Sequence, residues 1–293
     1  ARLVDAGGAT LDEVASDDGI GRIGGGHEAT FEKLVAGWPA APAIMAGMIG
    51  SRQGWREAAY LACPTTPEAI AKAIVPFPTA RGRMIAIVPG LMVRSEERDG
   101  DVIRGEETQI IGLIEREPGF SGACILPGTH SKWVTVKGGG IIGFQTYLTG
   151  ELFDLLAHKS LLRHSVAEGG DDLSQSRDFA LAVRRTAERG LPFLAAVFSV
   201  RVRQLLDGVA PDDNLAYLSG LIIGAEIAAA RATGSTKAAA IRIIGTRSLA
   251  TAYARAFAIL GETVETIEGD AMATAGLVRL ARENGLLAGD NRP

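Results

Sequence analysis

The sequence predicts an α/β protein built of two domains. Short apolar runs of strand length, such as residues 84–88 and 240–244, end in glycine turns. Segments with apolar residues at helical spacing alternate with them, as at residues 110–114 and 250–260. Pro118-Gly119 separates two such sets, and 293 residues are enough for two cores. The expected domains are therefore residues 1–118 and 119–293.

Residues 1–15 predict two short strands about the Ala6-Gly7-Gly8-Ala9 turn. Gly19-Ile20-Gly21-Arg22-Ile23-Gly24 fits a dinucleotide fingerprint in spelling only, because it follows the polar run Ser16-Asp17-Asp18 and no helix opens on it. A loop is expected there, then a helix over 27–34. Residues 43–50 predict a buried strand that delivers the polar loop Ser51-Arg52-Gln53-Gly54-Trp55. Such strand ends are where α/β proteins bind ligands, and Arg52 with Gln53 can fork onto a carboxylate or sugar hydroxyls. A helix is expected over 66–75, with Pro67 in its first turn, and a buried strand over 84–90.

Asp99-Gly100 predicts a hairpin turn. Arg104-Gly105-Glu106-Glu107 then opens a helix. Two acids there complement a helix dipole, or offer a general base beside Arg104; the residues alone leave both open. Residues 124–136 predict strand, tight loop and strand about Pro127-Gly128-Thr129-His130-Ser131-Lys132. Its glycine, hydroxyls and lysine suit a phosphate group, and equally an ordinary turn. The hairpin returns after Gly138-Gly139-Gly140. Helices are expected over 152–162, 179–189, 191–204 and 214–231, the last rich in small residues, and Arg201 lies in an apolar context as a surface residue or an anchor for an acid. Gly234-Ser235-Thr236 predicts a linker. A strand over 240–244 turns through Gly245-Thr246-Arg247-Ser248-Leu249 into the helix 250–260. A strand over 262–267 and a helix over 271–283 close the sequence.

The composition limits partners. A net charge of −4 gives no reason to expect nucleic acid or an anionic membrane, and 5% aromatic residues are too few for a base-stacking platform. No apolar run is expected to span a bilayer, and no signal peptide is expected. Cys63 and Cys124 make no disulfide framework, so reduced thiols and a cytoplasmic setting are expected. His158 and His164 lack acids or cysteines at ligand spacing.

Five stretches, in this order, resemble the 2-dehydro-3-deoxygalactonokinase family. They are Met48-Ile49-Gly50-Ser51-Arg52-Gln53-Gly54-Trp55, Arg104-Gly105-Glu106-Glu107-Thr108-Gln109, Leu126-Pro127-Gly128-Thr129-His130-Ser131-Lys132-Trp133, Leu148-Thr149-Gly150-Glu151-Leu152-Phe153 and Tyr217-Leu218-Ser219-Gly220-Leu221-Ile222-Ile223-Gly224. The resemblance implies a two-domain actin-like ATPase (ribonuclease H-like) fold, with mixed sheets flanked by helices and a cleft between the domains. It implies ATP against the second domain, sugar acid against the first, and Mg²⁺.

By resemblance, Gly128, Thr129, His130, Ser131 and Lys132 form a phosphate loop, and Gly245, Thr246 and Leu249 an adenosine turn. Glu106 or Glu107 is the base, with Glu106 favoured. Ser51, Arg52, Gln53, Trp55, Arg104 and Arg201 are the substrate candidates, with Arg52 leading. Sugar acid and ATP are the expected partners, and a homodimer is allowed. The family's opening Asp-x-Gly-Thr strand has no counterpart at residues 1–24, so the metal ligands stay unassigned. Weak or absent activity is expected of the sequence as it stands. A kinase for the gluconate epimer and a non-catalytic sugar-acid-binding protein are the rival readings.

Overall fold

A computed structural model describes the chain except for residues 6, 96–97, 171, 235–239 and 288–293. The linker expected at Gly234-Ser235-Thr236 falls largely outside the described residues. Two compact units emerge. One comprises Ala1–Phe120, Lys137–Gly143 and Asp270–Pro293; the other comprises Ser121–Val136 and Phe144–Gly269.

The first unit begins with the antiparallel pair β1 (Arg2–Val4) and β2 (Thr10–Glu13), followed by α1 (His27–Leu34). Then come β3 (Ala43–Met45), β4 (Tyr60–Ala62), α2 (Pro67–Ala73), β5 (Phe77–Pro78), β6 (Met84–Ile87), β7 (Gly90–Ser95), β8 (Arg98–Ile103) and α3 (Glu106–Arg116). They form two small mixed sheets, in the orders β3-β6-β5 and β4-β7-β8. Thr66 caps α2 by accepting from the Ala69 N–H at 3.3 Å. β3 is shorter than the expected strand over 43–50 and only half-buried; Met48–Gly50 instead winds into a 3₁₀ turn. Asp99 and Gly100 lie inside β8 and not in a turn.

The second unit is built on one mixed sheet in the order β11-β10-β9-β12-β13. Its strands are β9 (Gly122–Leu126), β10 (Ser131–Lys137), β11 (Gly140–Tyr147), β12 (Ile241–Gly245) and β13 (Glu265–Glu268). β10 runs antiparallel to β9, whereas β12 runs parallel to both β9 and β13. Every residue of β9 is buried, as a central strand covered on both faces requires. The helices are α4 (Thr149–Asp154), α5 (Arg177–Ala187), α6 (Phe193–Asp207), α7 (Pro211–Ala232) and α8 (Arg247–Ile259). α5, α7 and α8 lay Phe179, Ile223, Ile227, Tyr253 and Phe257 against Ile125, Trp133 and Ile243 of the sheet. α4 is followed by a π-helical turn, Leu155–Lys159. The small residues of α7 do allow close packing: a methyl group at Gly220 would meet the Phe179 carbonyl oxygen at 2.4 Å. By length and composition α7 could cross a membrane, contrary to expectation, but 67% of its most apolar stretch is buried in the protein. It is a core helix.

The last helix, α9 (Gly269–Asn284), lies almost wholly in the first unit, although its sequence position puts it in the expected segment 119–293. Arg2 holds it through the Asp270 carbonyl oxygen at 3.0 Å and Thr274 Oγ1 at 2.7 Å. Asn284 Nδ2 donates to the Ala71 carbonyl at 2.9 Å, and Arg279 pairs with Glu68 at 2.7 Å. Against α3 the approach is so close that only glycine fits. A Cβ at Gly276 would lie 1.9 Å from the Thr108 carbonyl oxygen, and one at Gly112 would lie 2.0 Å from that of Met272.

Candidate active site

Within the first unit, the loop after β3 and the tip of α3 come together. Gly105 is the N-cap of α3 at φ 111°, a conformation that side chains resist, and its backbone faces Gly47. A Cβ at Gly50 would lie 2.9 Å from Arg104 Nη1. Arg104 is held on its other sides. Nη2 donates to the Ala58 carbonyl at 2.8 Å, Nε donates to Tyr60 Oη at 3.3 Å, and the guanidinium lies over the Tyr60 ring. Among the described residues Arg104 Nη1 has no partner although it is buried, and the same holds for Ser51 Oγ and Glu107 Oε1. Buried polar atoms are rarely left so.

The two acids of α3 differ. Glu106 is half-buried, and its Oε2 accepts from the Arg104 N–H at 3.0 Å. Glu107 is fully buried, and its Oε2 accepts from the Gly105 N–H at 2.6 Å. Both thus tie down the loop ahead of the helix. Burial pushes the Glu107 carboxyl from its ordinary 4.5 up to about 8, against the pull of the backbone N–H groups of Glu107 and Gly105.

The other expected substrate residues fare unequally. Arg52, placed first by the sequence, is exposed and paired with Glu57 at 3.2 Å, so it is less enclosed than Arg104. Gln53 is exposed. Trp55 packs between Phe31 and Phe77, with ring centroids at 5.9 and 5.7 Å. Arg201 belongs to the second unit, where its Nη1 donates to Gln204 Oε1 at 2.8 Å and Ser165 Oγ at 3.2 Å. That guanidinium is an internal brace between α6 and Ser165, in the segment ahead of α5.

Within the second unit, the two expected ATP segments meet. β9 and β12 run parallel with Ile125 opposite Ile243, so their carboxyl ends lie side by side. Such ends are where open α/β sheets take ligands. Gly245 packs on Pro127, as a Cβ there would meet Pro127 Cδ at 3.6 Å. Thr246 and Leu249 are exposed, and no side chain caps α8, leaving its first N–H groups open to an anion. Thr129 and His130 are exposed, and a Cβ at Gly128 would meet nothing within 4 Å. From behind, Gly150 of α4 packs on the Gly128 carbonyl, and the Glu151 N–H donates to the Thr129 carbonyl at 3.0 Å. His130 Nε2 lies 2.6 Å from the Glu151 carboxylate.

Ser131 and Lys132 depart from the expected loop: both are buried. Ser131 Oγ donates to Glu226 at 2.7 Å, and Lys132 Nζ donates to the His130 carbonyl at 2.9 Å. They anchor the turn from within, and its accessible face is formed by residues 128–130. Glu226 went unrecognised in the sequence. Its signal was there, as a lone acid in the apolar run 220–230 of α7.

The family model described as 2-keto-3-deoxy-galactonokinase matches residues 1–280. The chain belongs to this family. A protein of Rhizobium meliloti (strain 1021) named probable 2-dehydro-3-deoxygalactonokinase DgoK1 is 42% identical over 241 residues, covering 82% of this chain and 78% of its own. The 2-dehydro-3-deoxygalactonokinase of Escherichia coli (strain K12) is 35% identical over 277 residues, covering 92% and 90%. The crystal structure of a provisionally named 2-dehydro-3-deoxygalactonokinase from Sinorhizobium meliloti superposes with a TM-score of 0.89 at 39% identity, over 96% of this chain and 94% of that one. The matched residues 1–280 include both the Arg104 loop and the Gly128 turn.

Proposed function

We propose that this protein transfers the γ-phosphoryl group of ATP to the terminal hydroxyl of 2-dehydro-3-deoxy-D-galactonate, giving the 6-phosphate in galactonate breakdown. The family match along residues 1–280 carries the reaction class and the substrate. The second unit fits a nucleotide, because an open turn over Gly128 adjoins the uncapped start of α8. ATP supplies the phosphoryl group. The N–H groups at the start of α8 and the exposed face of residues 128–130 hold phosphate oxygens. Among the described residues no three His, Cys, Asp or Glu side chains gather for a metal. Mg²⁺ carried by nucleotide phosphates and water needs no such cluster, and we assign it no protein ligand.

In the first unit, Arg104 Nη1 and Ser51 Oγ supply the unmatched donors that a substrate carboxylate or hydroxyl requires. Glu106 is our choice for the base that takes the hydroxyl proton, since Glu107 is enclosed and a base must first reach its proton. Phosphoryl transfer asks chiefly for alignment and charge neutralisation, which these rigid contacts provide.

The test is ADP release in a coupled assay over a panel of 2-keto-3-deoxy sugar acids. The galactonate acid should give the highest kcat/KM. A higher value on the gluconate epimer would move the protein to that substrate, and tight binding without ADP release would mark it as a binding protein.

A further inference from the structure

Four side chains converge on one buried carboxylate in the second unit. Ser131 Oγ and Trp133 Nε1 donate to Glu226 Oε1 at 2.7 and 2.6 Å. Tyr253 Oη donates to Oε2 at 2.5 Å, and Thr149 Oγ1 donates to the same oxygen. A carboxylate accepts about four hydrogen bonds, so these donors fill it. Every one of them is neutral, and Glu226 is 4% exposed. Burying a carboxylate without a cation is costly, and an apolar side chain would fill the space more cheaply. What the carboxylate joins gives it a use. Ser131 and Trp133 lead out of the turn at residues 127–130. Thr149 opens α4, whose Gly150 backs that turn. Tyr253 lies on α8, which begins at the second turn.

We propose that Glu226 is a positioning residue for the nucleotide, fixing the turn at 127–130 and the start of α8 in one geometry. This rests on reading those two turns as the ATP site. Acting through Ser131 and Tyr253, it sets where the phosphate-binding N–H groups point while touching no substrate itself.

The test compares Glu226→Gln, Tyr253→Phe and Thr129→Ala with the unaltered protein, by thermal unfolding and by KM for ATP and for the sugar acid. Glutamine keeps the shape but turns one acceptor oxygen into a donor. Glu226→Gln should raise KM for ATP about tenfold and leave KM for the sugar acid within about twofold, at a temperature where the variant is folded. Tyr253→Phe should raise it by a smaller factor, and it decides the matter if Glu226→Gln does not fold. A lowered Tm with KM for ATP unchanged in both variants would overturn the proposal. Thr129→Ala separates the two levels. If it raises KM for ATP while Glu226→Gln and Tyr253→Phe do not, only the positioning role fails. If all three leave KM for ATP unchanged, the ATP site itself is misplaced.

Discussion

The guanidinium carbon of Arg104 lies 4.2 Å from the centroid of the Tyr60 ring. Nη2 donates to the Ala58 carbonyl and Nε to Tyr60 Oη, so that among the described residues Nη1 is the buried guanidinium nitrogen without a partner. A charge-assisted hydrogen bond to such a held group contributes about 1.5–3 kcal/mol. Arg104→Ala should therefore raise KM for the sugar acid about 10- to 100-fold, as read in steady-state kinetics. Arg104→Lys should recover little of this, because an ammonium cannot fill the same fork. Arg52→Ala should stay within about twofold, since Arg52 is exposed and paired with Glu57. The reverse ranking would return the sugar acid to Arg52.

Glu106→Gln should lower kcat by about 10²–10⁴ while KM for ATP holds. An equal loss in kcat from Glu107→Gln, with Glu106→Gln active, would transfer the role of base to Glu107.

Glu107 should leave a mark on stability against pH. Its folded carboxyl is raised to about 8 from an ordinary 4.5, so the folded protein holds a proton that the unfolded chain has released. Its contribution is complete below about pH 4.5 and is lost as pH climbs towards about 8. A displacement of that size corresponds to about 5 kcal/mol at most. In urea melts across this range, Glu107→Gln should gain on the unaltered protein as pH rises. A constant difference between the two would show that Glu107 does not titrate in this way.

Cys124 should resist thiol reagents until the protein unfolds, because it is fully buried and its thiol is pushed well up by desolvation. Cys63, half-buried and raised to about 11, should react slowly in the native state. Fast native labelling of Cys124 would contradict its place in β9.

How much of this was legible in the sequence depended on the range of the forces involved. The helix at His27–Leu34 and the turn between β9 and β10 were legible because glycine and proline punctuation and apolar spacing act over a few residues. The roles within that turn were not. Ser131 faces inward because its partner, Glu226, stands 95 residues further on. Ser51 and Arg104 each adjoin a glycine and Arg52 lies two residues from one, and only the packed loop shows that Arg104 is the enclosed one. Gly112 and Gly276 read singly as weak points of two helices. Their use appears when the helices lie together.

Those two glycines should be intolerant. Gly276→Ala places a methyl group 1.9 Å from a backbone oxygen that cannot rotate away. Overpacking of this kind costs about 1–3 kcal/mol or more, and Tm should fall by about 5–10 °C. A variant that melts with the unaltered protein would mean that α3 and α9 lie further apart.

The return of α9 also orders events on the ribosome. Chains emerge from the N-terminus at about 5–20 residues per second, and early domains usually fold as they appear. Here all of the second unit is translated before α9, which the first unit needs to close over α3. The half of the protein begun first is therefore completed last, and the glycine-bearing face of α3 waits uncovered through the synthesis of some 140 residues that belong elsewhere.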